Sequence, residues 1–102
     1  MDTQSLFSLA GRTALVTGGS RGIGKMIATG FIAQGAKVYI SSRKADVCEG
    51  VAEELGPNCI AVPQDISTVD GCKALAATMA EHESGVDILV NNAGAAWGEA
   101  FE

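Results

Sequence analysis

The feature that most constrains the fold of this chain is a regular alternation of short apolar runs with helical patterns. The runs are apolar or β-branched and end at glycine, proline or polar residues, so they predict four buried strands. These strands are Thr13–Thr17 ("TALVT"), Lys37–Ser41 ("KVYIS"), residues 59–62 ("CIAV") and residues 87–90 ("DILV"). The order β-α-β-α-β-α-β predicts an α/β fold, in which a parallel sheet with right-handed crossovers carries helices on both faces.

Three helical patterns separate the predicted strands. The first runs from Gly22 to Gln34, and the second ends at Gly56 after apolar residues that recur every four positions. The third is predicted to open at a capping box, "STVD", at residues 67–70. Its predicted inner face consists of Val69, Cys72, Leu75, Ala76 and Met79.

Length and charge limit the classes of protein that fit. A chain of 102 residues has room for one small domain or for part of a larger one. Its net charge of −5 argues against a nucleic-acid partner, because such proteins usually present a basic surface. Four of the seven basic residues nevertheless fall close together and predict a local anion site: Arg21, Lys25, Arg43 and Lys44.

Cysteine usage and hydropathy exclude further classes. Cys48, Cys59 and Cys72 show no C-x-x-C spacing and predict reduced thiols in a cytoplasmic protein. With His82 as the single histidine, no metal site is expected. The first residues lack the basic and apolar regions of a secretory signal, and no apolar run approaches the roughly 20 residues that span a bilayer. We therefore expect neither a metal nor a membrane partner.

Each predicted strand is followed by a segment rich in glycine or polar residues: "GGSRGIG", "SSRK", "PQDIS" and "NNAG". The carboxyl ends of parallel strands meet at one edge of a sheet, and ligands of open α/β sheets bind beyond that edge. All four segments are therefore expected to contribute to a single ligand site.

The stretch "TGGSRGIGKM", residues 17–26, fits two phosphate-binding patterns. From Gly19 it reads G-x-x-x-x-G-K, a P-loop, but Met26 then replaces the Ser or Thr whose hydroxyl binds magnesium. Asp65 is the only carboxylate that follows a strand in the way a P-loop protein requires. From Gly18 the stretch reads G-x-x-x-G-x-G, a dinucleotide-binding turn.

The dinucleotide pattern explains more of these residues. Gly18 permits a sharp turn off the strand, Gly22 lets the backbone approach a pyrophosphate, and Gly24 lets the helix pack closely on the sheet. The free N–H groups and the positive dipole end of that helix would face the phosphates. We favour this interpretation, with a P-loop phosphohydrolase as the weaker alternative.

Two motifs show that the chain resembles the short-chain dehydrogenase/reductase family. The pattern T-G-x-x-x-G-I-G is matched at residues 17–24, and "NNAG" follows at residues 91–94. The resemblance implies a Rossmann-like sheet of about four strands in the order 3-2-1-4, which binds a nicotinamide dinucleotide. It implies cofactor-binding roles for the glycine turn, for the loop along the adenine, and for the "NNAG" segment that borders the ribose and braces the sheet. The residues concerned are Gly18, Ser20, Arg21, Gly22, Ile23 and Gly24, then Asp65 and Ile66, then Asn91, Asn92, Ala93 and Gly94.

Without the resemblance, two of these interpretations have ordinary structural alternatives. Asp65 is equally well explained as a solvated loop carboxylate or as a helix cap near Ser67. Asn91 and Asn92 are equally well explained as a turn that hydrogen-bonds the backbone, and this role is compatible with a cofactor nearby.

The residues after the second predicted strand favour NADP(H) over NAD(H). NAD-binding proteins usually place an acidic residue about 20 positions past the glycines. Here Ser42, Arg43 and Lys44 come first, and the next carboxylate is Asp46. A hydroxyl and a guanidinium bind a 2′-phosphate, and Arg21 can approach the same phosphate from the glycine turn. The alternative for Arg43 is an ordinary solvated surface residue.

The chemistry that the resemblance implies needs residues that are absent from these 102 positions. The family uses a Ser and a Tyr-x-x-x-Lys pair, in which the Tyr protonates the carbonyl oxygen and the Lys lowers the pKa of that Tyr. The only tyrosine, Tyr39, lies in a predicted strand with Arg43 four residues later, so we interpret it as core packing. We therefore expect the chain to be the N-terminal, cofactor-binding part of a single Rossmann-type domain of a longer reductase, and to be inactive alone.

The resemblance also implies a reaction. "FSLAGRTALVTGGSRGIG" and "NNAGAAWG" look most like the 3-oxoacyl-(acyl carrier protein) reductase branch of the family, with its rhamnolipid-type relatives. The expected full-length protein is an NADPH-dependent oxidoreductase acting on a small-molecule carbonyl or hydroxyl substrate, such as an acyl thioester. Family members commonly form dimers or tetramers, so a homo-oligomer is expected. The alternative is a module that binds NADP(H) as a sensor or regulatory subunit without turnover.

Overall fold

Residues 8–92 are described by a computed structural model of the chain. They form a parallel sheet of four strands, β1 (Thr13–Thr17), β2 (Lys37–Ser41), β3 (Cys59–Ala61) and β4 (Ile88–Asn91). The strand order β3-β2-β1-β4 confirms the predicted Rossmann-like order. β3 is one residue shorter than predicted and β4 is shifted by one residue.

Three helices cover the two faces of this sheet, as predicted. α1 (Gly22–Ala33) and α2 (Ala45–Leu55) pack on one face, and α3 (Val69–His82) packs on the other. Side chains alternate along a strand, so Ile40 of β2 points toward α1 and α2 while Tyr39 points toward α3. All five residues of β1 are buried, which explains why its sequence is apolar without alternation.

The start of α3 differs from the predicted capping box at residues 67–70. The N-cap is Thr68, whose Oγ1 accepts the Gly71 N–H at 3.0 Å. Ser67 lies outside the helix and donates its hydroxyl to Asp65. Ser and Thr both cap helices well, and the choice between them depends on this partner outside the helix. The predicted box is therefore wrong, although the helix is confirmed.

The buried face of α3 is narrower than predicted. Leu75 and Met79 are buried against the sheet, whereas Val69, the first residue of the helix, is 71% exposed. Two further residues of the predicted face, Cys72 and Ala76, are exposed and line an apolar groove of about 560 Å³. The groove runs between α3 and the strands β1 and β4, and Leu89 of β4 is 67% exposed on it. No helix within residues 8–92 is long and apolar enough to cross a membrane.

A hydrogen-bond network closes the amino end of the sheet. Oε2 of Glu83 accepts hydrogen bonds from the Lys37 ammonium and from the Tyr39 hydroxyl, each at 2.6 Å, and Oε1 accepts one from Thr13 at 3.4 Å. The bonds from Lys37 and Tyr39 hold the pKa of Glu83 below its ordinary value of 4.5. Tyr39 is 1% exposed, in agreement with core packing, and burial raises its pKa. This network ties α3 to β1 and β2 at the edge opposite the candidate site.

Candidate functional site

The glycine turn between β1 and α1 has the conformation that the dinucleotide pattern requires. Gly18 and Gly22 have φ angles of +69° and +60°, a region that residues with a side chain rarely adopt. A Cβ at Gly24 would overlap the carbonyl oxygen of Gly18 and would lie 2.8 Å from the side-chain amide nitrogen of Asn92. A Cβ at Gly22 would meet nothing within 4 Å. The helix therefore packs closely on the turn, while the backbone at Gly22 is open to a ligand.

The first turn of α1 suits an anion. Arg21 is the N-cap in an extended conformation, and no side chain caps the helix. The first N–H groups of α1, which have no partner within the helix, therefore also lack a capping side chain. No acidic residue lies in the first turn to offset the positive end of the helix dipole. Ser20 is buried at the start of the turn, while Arg21 and Ile23 are exposed at its rim.

The end of β2 offers hydroxyl groups and a cation. Within residues 8–92, the buried Oγ atoms of Ser41 and Ser42 have no hydrogen-bond partner. An unpaired buried hydroxyl costs on the order of 1–3 kcal/mol, so such a group is usually satisfied by a ligand or a water. Arg43 follows them directly and is exposed. A hydroxyl beside a guanidinium is a donor set that suits a phosphate ester.

Asp65 lies after β3 in a loop that is fixed by hydrogen bonds. Its Oδ1 accepts both the N–H of Ser67, at 2.9 Å, and the hydroxyl of Ser67, at 2.6 Å. These bonds, with a smaller contribution from the charge of Arg43, hold the pKa of Asp65 below its ordinary value of 3.8. The carboxylate is therefore ionised at neutral pH. Ile66, the next residue, is half-buried against the core beneath α3.

Thr17 ties the end of β4 to the glycine turn. Its Oγ1 lies 3.1 Å from Oδ1 of Asn91 and 3.3 Å from the carbonyl oxygen of Val90, and it accepts the N–H of Asn92 at 3.1 Å. Asn92 in turn lies against Gly24. These contacts support the bracing role expected of Asn91 and Asn92. The other two residues of this motif, Ala93 and Gly94, lie outside the described residues.

The described residues of the four predicted segments lie along one edge of the sheet. Thr17, at the end of β1, pairs with Ser41 on one side and with Asn91 on the other. The N–H of Gln64 donates to the carbonyl of Ser42 at 3.0 Å and joins the end of β3 to the end of β2. The expected meeting of the segments is confirmed, whereas cofactor binding by their residues stays a prediction. In the described part of the chain, no cluster of His, Cys, Asp and Glu could hold a metal ion.

Two contacts that shape this site, those of Ser67 and Gly71 with Asp65, were not predicted from the sequence. Ser67 stands two positions after Asp65, a spacing typical of an Asx turn, and this spacing could have revealed their contact. Gly71 lies inside α3, where a glycine costs about 1 kcal/mol relative to alanine and signals a close approach. A Cβ at Gly71 would overlap the carbonyl oxygen of Asp65.

The fold and this edge together define a Rossmann-like protein of the dinucleotide-binding class. Residues 12–102 match the family described as short chain dehydrogenase, and the chain belongs to that family. The resemblance noted in the sequence is thereby confirmed.

Relatives within the family are similar over most of the chain. The rhamnolipids biosynthesis 3-oxoacyl-[acyl-carrier-protein] reductase of Pseudomonas aeruginosa is 52% identical over 98 residues, which cover 94% of this chain and 38% of that protein. The Pseudomonas aeruginosa RhlG/NADP active-site complex superimposes with a TM-score of 0.86 at 47% identity, covering 99% of this chain and 41% of that one. A 3-ketoacyl-(acyl-carrier-protein) reductase from Brucella melitensis, complexed with NADH, has a TM-score of 0.75 at 39% identity and covers 80% of this chain and 34% of its own.

The chain thus spans about a third to two fifths of the length of these relatives. One of the two complexes holds NADP and the other holds NADH. Membership of the family therefore does not determine which of the two cofactors is bound, and this depends on the side chains at the carboxyl edge of the sheet.

Proposed function

We propose that the carboxyl edge of this sheet binds NADP(H), and that the chain supplies the cofactor-binding part of an NADPH-dependent carbonyl reductase of the 3-oxoacyl type. One observation carries the proposal: the open glycine turn, which leads into an uncapped helix N-terminus, starts beside the end of β2, where the Gly18 N–H donates to the Ser41 carbonyl and Ser42 and Arg43 follow. The bound cofactor would supply the hydride for reduction of a ketone. The residues of this chain would hold and orient it.

Each segment has its own part in the proposed site. The main chain of the glycine turn would bind the pyrophosphate through Gly18, Ser20, Gly22, Ile23 and Gly24. Asp65 and Ile66 would lie along the adenine. The "NNAG" segment would border the ribose through Asn91, Ala93 and Gly94. The unpaired hydroxyl of Ser42, together with Arg43 and Arg21, would bind the 2′-phosphate.

The preference for NADP(H) follows from charge. A hydrogen bond between charged groups contributes about 1.5–3 kcal/mol, so two arginines on the 2′-phosphate give NADPH about two to four decades of advantage over NADH. No carboxylate precedes Asp46 after β2 to repel that phosphate. These features favour NADP(H) in a family whose complexes hold either cofactor.

Arg43→Ala in the protein at its natural length tests this proposal. NADPH affinity is expected to fall by about one to two decades while NADH affinity stays nearly constant, because only NADPH carries the 2′-phosphate. Arg12→Ala is the matched control, since Arg12 is also exposed but lies at the opposite edge, 3.9 Å from Asp87. An Arg43→Ala variant that binds NADPH within about twofold of the wild type would refute the assignment.

The substrate is proposed on the strength of the relatives. A 3-oxoacyl thioester is the substrate class that the name of the Pseudomonas aeruginosa relative indicates. NADPH oxidation that depends on such a thioester supports the reductase. NADPH binding without turnover by the natural-length protein supports the alternative, a non-catalytic NADP(H)-binding module. We further propose a homo-oligomeric, cytoplasmic protein, and the three free cysteines are compatible with a reducing compartment.

A further inference from the structure

Glycine at position 19 is required neither by the motif nor by the main-chain conformation. The pattern T-G-x-x-x-G-I-G at residues 17–24 leaves this position open. Gly19 also has no positive φ angle, unlike Gly18 and Gly22 of the same turn, so its backbone conformation is accessible to residues with a side chain. The reason for a glycine here is therefore a close contact with another part of the chain.

That contact is with Ile40 of β2, which is far from the turn in sequence. A Cβ at Gly19 would lie 2.6 Å from Cγ2 and 2.9 Å from Cβ of Ile40, and 3.1 Å from the carbonyl oxygen of Val16. Ordinary packing begins near 3.4 Å, so a side chain at position 19 would require either β2 or the turn to move by about 0.8 Å.

Ile40 is held in place from several sides. It is fully buried, and it pairs with Val16 of β1 and with Ala61 of β3. Its carbonyl oxygen accepts the N–H of Val62 at 2.9 Å, and the Sγ of Cys48 lies 3.4 Å from the same oxygen. The two atoms that face the turn, Cβ and Cγ2, lie next to this backbone and cannot swing aside. A side chain at position 19 would therefore lift the turn away from β2.

We propose that Gly19 and Ile40 form a positioning pair, which sets the distance between the glycine turn and the end of β2 and thereby the degree of preference for NADP(H). This inference rests on the proposed function, in which the turn binds the pyrophosphate and the side chains after β2 bind the 2′-phosphate. The turn and β2 are also joined at this point by the hydrogen bond from the Gly18 N–H to the Ser41 carbonyl, at 2.7 Å.

A change in this distance would affect the two cofactors unequally. The buried Oγ of Ser42 belongs to a short side chain, so it cannot follow a cofactor that is displaced by about 0.8 Å, and such a displacement breaks a hydrogen bond of about 2.8 Å. Only NADPH carries the 2′-phosphate that this hydroxyl would bind. A lifted turn is therefore expected to weaken NADPH binding more than NADH binding.

Gly19→Ala in the protein at its natural length tests the proposal through the ratio of NADPH affinity to NADH affinity. The ratio is expected to fall about tenfold or more, the order of one hydrogen bond to a charged group. Gly50→Ala is the matched control, because it lies in α2 on the face of the sheet to which Ile40 points and its Cβ would meet nothing within 4 Å. A general loss of stability would weaken both cofactors together and leave the ratio unchanged.

Two substitutions at position 40 show whether Ile40 is the cause. Ile40→Ala removes Cγ2, the atom closest to the new Cβ, so in that background Gly19→Ala is expected to lower the ratio by about threefold or less. Ile40→Val also shortens the side chain but keeps Cβ and Cγ2. In that background Gly19→Ala is expected to lower the ratio as much as it does in the wild type.

The outcomes separate this inference from the proposed function. A Gly19→Ala variant with the ratio of the wild type would overturn the role of the pair and leave the cofactor site intact, even where the Ile40→Ala background is too unstable to bind. An equal effect of Gly19→Ala in the Ile40→Ala and Ile40→Val backgrounds would also overturn it. A wild-type protein without preference for NADPH would instead overturn the proposed function, and this inference with it.

Discussion

Replacing Gly24 by alanine probes the contact on which the glycine turn depends. The new Cβ would overlap the Gly18 carbonyl oxygen, and it would lie 2.8 Å from the Asn92 amide nitrogen, where ordinary packing begins near 3.4 Å. The Gly18 carbonyl oxygen lies still closer to the new Cβ, so the start of α1 must move away from the turn by more than the about 0.6 Å that the Asn92 contact alone requires. The backbone atoms of Gly18 belong to the turn itself and cannot swing aside as a flexible side chain could.

Two consequences of known size follow from this displacement. Overpacking of a close contact costs about 1–3 kcal/mol of unfolding free energy. Loss of one main-chain hydrogen bond to a charged pyrophosphate lowers cofactor affinity by about tenfold or more. Gly24→Ala is therefore expected to be less stable than the wild type and to bind NADPH at least about tenfold more weakly.

Gly30→Ala is the matched control because it lies in the same helix. A Cβ at Gly30 meets nothing within 4 Å, so the substitution is expected to be neutral or to stabilise the helix by up to about 1 kcal/mol. Urea unfolding and NADPH titration of both variants provide the comparison. If Gly24→Ala unfolds and binds NADPH as Gly30→Ala does, the close approach of α1 to the turn is not what the site requires.

Two further predictions concern other parts of the chain. The pKa of Glu83 in the folded protein lies below the ordinary value of 4.5, so the network with Lys37 and Tyr39 contributes its full stability above pH 4.5 and loses it as the pH falls through the folded-state pKa. Glu83→Gln is therefore expected to lower the urea concentration at the unfolding midpoint at neutral pH. It is also expected to reduce the fall of that midpoint as the pH is lowered into the acid range. A fall as steep as that of the wild type would contradict the role of this network. Cys72 is expected to be the thiol that reacts with an aromatic disulfide reagent in the folded protein, because Cys48 and Cys59 are buried and burial raises the pKa of Cys59 to about 11. Mass spectrometry that finds either buried cysteine modified as fast as Cys72 would contradict this.

The strands and their shared edge could be predicted because their signals are local, whereas the strand order was implied by the family resemblance. Each strand is a short apolar run that ends at a glycine or a polar segment, and handedness then restricts the topology. The glycine turn was predicted for the same reason, since Gly18 and Gly22 need positive φ angles that other residues rarely adopt.

The contacts that the sequence did not reveal join residues far apart or choose between neighbours. Tyr39 and Glu83 are 44 positions apart, and no pattern in either segment points to the other. Ser67 and Thr68 are both good caps, and the contact of Ser67 with Asp65 decides which of them caps α3. The contact of Tyr39 with Glu83 depends on the assembled sheet, whereas the choice of cap depends on a local turn that the spacing of Asp65 and Ser67 could have indicated.

The most direct test of the central claim compares NADPH and NADH binding to the unmodified protein at its natural length, by calorimetric titration at low ionic strength. We expect NADPH to bind about two to four decades more tightly, because Arg21 and Arg43 are proposed to contact the 2′-phosphate that NADH lacks. Equal affinity for the two cofactors, or tighter binding of NADH, would contradict it.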